Sequence, residues 1–120
     1  MAMEQDAEPR LVIRQVPVGR SAAVICLSGE LDFDTVTLLR EEIVQVAAHP
    51  ENRRRLLLEL SAVTYCDNAG LFTLLGMCRA LDAVGIAVGI IETGVVVDAA
   101  IHRAGLEKQL PLRRAGPWWM

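Results

Sequence analysis

The sequence predicts an α/β domain with a mostly parallel sheet and its helices largely on one face. RLLLELS at 55–61 and IAVGII at 86–91 are short, continuous apolar runs, the pattern of strands covered on both faces. The segments that alternate with them repeat apolar residues at helical spacing, which implies right-handed crossovers between parallel strands. Each helical segment carries a single apolar stripe, so one side of the sheet can hold them all.

Residues 1–9 are polar with a proline at Pro9 and read as a flexible leader, so the domain is expected over 10–113, followed by a tail at 114–120. Leu11 to Val16 is dominated by apolar residues. The Pro17–Arg20 turn then leads into AAVICLSG, and the two runs read as a hairpin. Asp34 and Thr35 offer side-chain oxygens to cap a helix over VTLLREEIVQVAA, where Val36, Leu39, Ile43 and Val46 form the buried stripe. HPENR is a polar turn before the strand at 55–61.

After Tyr65 and Cys66, Asp67 caps a second helix whose buried stripe is Leu71, Leu74, Leu75, Cys78 and Leu81. Phe72, Gly76, Arg79 and Ala83 lie on its other face. Gly85 breaks that helix, and IAVGII forms the next strand. Thr93 opens a third helix that closes at Ala104, Gly105 and Leu106, with Gly105 in a left-handed C-cap and Leu106 folding back.

With 120 residues and 52% hydrophobic content the chain fits one core, burying roughly two-thirds of the surface its unfolded form exposes. Twelve Lys plus Arg against fifteen Asp plus Glu give a formal charge of -3, which offers phosphate backbones no general attraction and argues against direct nucleic-acid binding. No apolar run approaches the roughly 18 residues needed to cross a bilayer, and MAMEQDAEPR is unlike a signal peptide. A cytoplasmic protein without membrane insertion is the expectation.

The chemistry-bearing residues do not assemble into an enzyme. Cys26, Cys66 and Cys78 form no CxxC pair and read as reduced, structural thiols. His49, beside Pro50, and His102, on the last helix, sit away from the strand-to-helix junctions where sites form, which suits surface or capping roles. No Cys/His metal spacing, HExxH, GxGxxG or P-loop is present, so neither metal nor cofactor is assigned. An enzyme built on Cys66, His102 and Asp67 is hard to assemble in this element order. A ligand sensor with a pocket lined by the three cysteines has no converging polar group to orient a ligand. The most informative segment is VTYCDNAGLFTLL, where a strand edge passes through Asp67, Asn68 and Ala69 into a helix start. Such a start favours an anionic or hydrogen-bonding partner unless Asp67 satisfies it internally.

Three blocks together, LSGELD at 27–32, LELSAVTYCDNAGL at 58–71 and IHRAGLEKQLPL at 101–112, resemble the STAS domain of anti-sigma factor antagonists over nearly the whole chain, from about Leu11 to Leu112. The resemblance implies a mixed sheet of about five strands, a β-hairpin start and helices packed largely to one side. It also implies binding of an anti-sigma factor, commonly a serine kinase of histidine-kinase-like fold, by a monomer or weak homodimer, which frees a sigma factor. The implied contact surface is Asp67, Asn68, Ala69 and Gly70, with Phe72 one turn on and Asp32 closing the first block.

In the family the loop usually reads Asp-Ser-Ser-Gly or Asp-Ser-Thr-Gly, and the kinase phosphorylates one of its hydroxyls. Asn68 and Ala69 occupy those positions here, so the motif has no phospho-acceptor, and Thr64 and Thr73 stand outside the acceptor positions. The departure implies constitutive binding or a different partner. Other STAS roles, as accessory subunits of lipid transporters or in stress-sensing assemblies, are the alternative.

Overall fold

The computed structural model describes residues 9–48 and 55–112. Residues 1–8 of the expected leader, the HPENR turn with His49, and the tail from Arg113 onward lie outside the described residues. The described chain runs β1 (Leu11–Val18), β2 (Ala22–Leu31), α1 (Val36–Ala47), β3 (Arg55–Cys66), α2 (Asn68–Ala83), β4 (Ala87–Glu92) and α3 (Gly94–Ala104).

β1 and β2 form the expected hairpin, antiparallel with Val18 opposite Ala22, and Gly19 takes the left-handed conformation at the turn (φ 65°). β3 then pairs parallel to β2 and β4 parallel to β3, giving the order β1-β2-β3-β4. Four strands are present among the described residues, one fewer than the family pattern implies. The position of the fifth is reduced to one parallel bridge between Ile90 and Leu112, in which the Ile90 N–H donates to the Pro111 carbonyl (2.8 Å). Pro111 has no N–H to extend the ladder, and the Leu112 N–H turns back to the Leu110 carbonyl (2.8 Å).

β3 is longer than its apolar run. Leu56, Leu58 and Leu60 alternate into the core as a regular strand does, but the next buried residues are Val63 and Cys66, each three positions on. Register shifts against β2, between Cys26 and Ser28 and between Gly29 and Glu30, absorb the extra residues. The upper half of β3 is thereby carried beyond the end of β4 to the helix start at Asp67.

One buried cluster joins Ala23, Ile25 and Leu27 of β2, Leu56, Leu58 and Leu60 of β3 and Ile90 of β4 to the stripes of all three helices. The helices therefore share a single face of the sheet. α1 buries Val36, Leu39, Ile43 and Val46, and α2 buries Leu71, Leu74, Leu75, Cys78 and Leu81, with Gly70 and Met77 added. α3 buries Val97, Ala100 and Ile101. It ends in the left-handed cap at Gly105 (φ 69°), where the Leu106 N–H returns to the Ile101 carbonyl (3.1 Å) and the Leu106 side chain is buried. Among the described residues no helix is long and apolar enough to cross a membrane.

Candidate partner-binding site

The site is built where β2 and β3 end side by side and α1 and α2 begin. Asp67 has extended backbone angles (φ -98°, ψ 173°), which aim its side chain at the first turn of α2, and its Oδ1 accepts the Gly70 N–H at 2.7 Å. Its Oδ2 reaches across to accept the Phe33 N–H at 3.4 Å, and its own N–H donates to the Leu31 carbonyl at 3.3 Å. Gly70 is required by the same close approach, because a Cβ there would lie 2.6 Å from the Leu31 oxygen. Asp67 thus caps α2 and stitches the β3–α2 junction to the β2–α1 loop.

That second loop is organised by Asp32. The sequence points to Asp34 and Thr35 as cap residues for α1, but Thr35 is already in helical conformation and makes no side-chain cap bond. Asp32 Oδ1 accepts the N–H groups of Asp34 and Thr35, both at 2.9 Å. Thr35 Oγ1 accepts the Asp32 N–H (2.9 Å) and donates to the Glu30 carbonyl (2.7 Å). Arg10 closes the network by binding the Asp32 carboxylate through Nη2 and Glu30 through Nε at 2.8 Å. Asp32 is only 7% exposed, and the N–H of Thr35, then the Arg10 charge and the N–H of Asp34, hold its carboxyl below the usual range against the opposing effect of burial. Its carboxylate is directed inward, at its own loop.

Of the residues expected at a contact surface, Asn68 and Phe72 are exposed, Asp67 and Ala69 are half-buried, and Gly70 and Asp32 are buried as parts of the frame. Two further residues stand out that sequence reasoning missed. Phe33, in the β2–α1 loop, is 73% exposed, and Tyr65, at the end of β3, is 51% exposed. With Phe72, 50% exposed, they are all the phenylalanines and tyrosines of the chain, and every one lies near this end of the sheet outside the core. The available signal was position: Phe33 directly follows LSGELD, and Tyr65 lies inside the second block.

Nucleophilic chemistry finds little support here. Cys66 is buried, and burial, followed by the Asp67 charge, pushes its thiol up to about 11. Burial alone pushes the Cys78 thiol up to about 11 as well. Such thiols are not thiolates near neutral pH. His102 is exposed on the last turn of α3, with Nδ1 2.8 Å from Glu107. Among the described residues no three His, Cys, Asp or Glu side chains converge as a metal site would require.

Comparison with solved structures finds the same fold. An anti-sigma factor antagonist from Mycobacterium paratuberculosis matches with a TM-score of 0.73 and 27% identity, covering 88% of this chain and 86% of that one. The unphosphorylated form of the anti-sigma factor antagonist SpoIIAA matches with a TM-score of 0.68 and 22% identity, over 86% of this chain and 89% of that one. A portion of the murine anion transporter Slc26a9, 21% of its chain, matches 92% of this one at 13% identity with a TM-score of 0.69. No curated protein sequence matches. The family described as Mlab, STAS domain, matches residues 6–114, nearly the full length, and the chain belongs to this STAS domain family.

Proposed function

We propose that the chain is an anti-sigma factor antagonist that binds an anti-sigma factor through the end of the sheet around Asp67 and so frees a sigma factor. The observation that carries this reading is the placement of Phe33, Tyr65 and Phe72, all exposed near a helix start whose loop side chains, Asn68 and Ala69, are uncharged. Exposed aromatics are costly to leave in water and supply the anchors of protein interfaces. The likeness to the mycobacterial antagonist over most of both chains supports the same role.

The loop gives the proposal its regulatory content. A phosphate at the first turn of α2 would add roughly -1.5 to -2 charges inside the contact surface and repel a partner fitted to a neutral one. Asn68 and Ala69 have no hydroxyl to carry it, so binding is constitutive, and release depends on competition or turnover.

A pull-down comparing the wild-type chain with an Asn68→Asp, Phe72→Ala double variant tests this. The wild type should capture a kinase-like anti-sigma factor, identified by mass spectrometry. The double variant should bind it about tenfold or more weakly, the scale of one lost aromatic anchor. Equal capture by the two baits counts against this surface, and phosphorylation of the loop region counts against constitutive binding. A second reading, drawn from the other roles of STAS domains, is an accessory subunit of a lipid transporter or stress-sensing assembly. Co-purification with a membrane ATPase complex is its mark.

A further inference from the structure

α1 and α2 run side by side from the same end of the sheet, and their facing sides leave a groove of about 540 Å³. Buried Ile43, Met77 and Leu81 form its floor. Val44 and Val84 stand on its walls, 60% and 63% exposed. Arg40 and Thr73 are the lining residues nearest the two helix starts, so the groove has a polar end and an apolar remainder. Small-molecule sites have this size and make-up, about 300–1,000 Å³ of mostly apolar lining with a few polar groups that fix orientation. None of the three cysteines lines it.

Arg40 is the one charged residue among those lining the groove, and it has no ion pair among the described residues. Its own helix offers none either, because Val36, Thr37, Ile43 and Val44 occupy the positions three and four residues away. Gly76, also on the wall, weakens a mid-helix turn although no close approach or left-handed backbone requires a glycine there. Its missing side chain leaves the groove open. The apolar strip is narrow: exposed Thr37, Glu41 and Gln45 flank it on α1, and exposed Arg79 flanks it on α2. One alkyl chain fits such a strip better than the wide apolar face of a third helix. We propose that this groove binds a single-chain amphiphile with a carboxylate head, the head on Arg40 and Thr73 and the chain running past Gly76 toward Val84.

The test is isothermal titration of the full chain with dodecanoate at pH 8, kept below its micelle threshold. One saturable site is expected. Arg40→Gln, which keeps helix propensity and removes the charge, should weaken binding about tenfold, the scale of one lost charge-assisted hydrogen bond. Gly76→Leu should abolish it by filling the groove. Leu is the better helix former, so the urea midpoint of this variant should hold or rise, which separates a blocked groove from a misfolded one. The neutral dodecan-1-ol should bind more weakly than dodecanoate to the wild type and equally to Arg40→Gln. No saturable binding by the wild type, binding only at the micelle threshold, or full affinity in either variant overturns the proposal. So does a wild-type dimer that Gly76→Leu dissociates, which would give the groove to a second copy.

Discussion

Asp32 and Asp67 are carboxylates close to the starts of α1 and α2, and the structure gives them different partners. Asp67 divides its two oxygens between its own helix and the neighbouring loop, whereas Asp32 spends both inside one turn and on Arg10. Asp32→Asn keeps the shape but cannot carry the charge that Arg10 and two N–H groups meet, and should cost on the order of 1–3 kcal/mol near pH 7. The sign of its pH dependence follows from the lowered carboxyl. Stability contributed by a carboxyl lowered on folding is fully present above its unfolded value, about 3.9, and is lost as pH falls through the lower folded value. The gap between wild type and variant, measured by urea unfolding, should therefore narrow below about pH 4. A gap that is constant with pH would show that the charge of Asp32 contributes nothing. At this scale the sequence was informative where one residue acts on its own helix, as Asp67 does. It was silent where partners come from distant positions: Arg10 is 22 residues from Asp32, and Phe33 is 34 from Asp67.

At the scale of elements, the two helical stripes of α1 and α2 and the cap at Gly105 were legible because helical periodicity and C-cap chemistry are local. The upper half of β3 was not. Its two register shifts turn a period of two into a spacing of three, which no strand template matches. Among the described residues the fifth strand is reduced to the Ile90–Leu112 bridge for an equally local reason, the missing N–H of Pro111. Within α2 two glycines have opposite reasons to exist. Gly70 lies under the Leu31 carbonyl, and Gly70→Ala should destabilise by about 1–3 kcal/mol while prising the two site loops apart. Gly76 is exposed in mid-helix with nothing within 4 Å of an added Cβ, so Gly76→Ala should stabilise by about 0.5–1 kcal/mol. Urea midpoints that move the same way for both variants would contradict this division.

At the scale of the whole molecule, one buried cluster includes residues from every strand and helix, and the three cysteines sample its arrangement unequally. Cys66 at the end of β3 and Cys78 in the middle of α2 both lie within the cluster, whereas Cys26 points to the opposite face of the sheet. If the cluster is one cooperative unit, no helix can leave the sheet without exposing the rest, and the two buried thiols should become reactive in the same event. Near pH 8 this is a clean probe. The folded thiols titrate at about 11, so almost none is thiolate until unfolding returns them toward about 8.5. Pulsed alkylation across a urea series should label Cys66 and Cys78 with one midpoint, coincident with the loss of far-UV circular dichroism, while Cys26 reacts at lower urea. Earlier labelling of Cys78 than of Cys66 would mean that α2 detaches as a separate unit. The site would then not be a rigid platform, because the helix that carries Phe72 would move independently of the strand end that carries Tyr65.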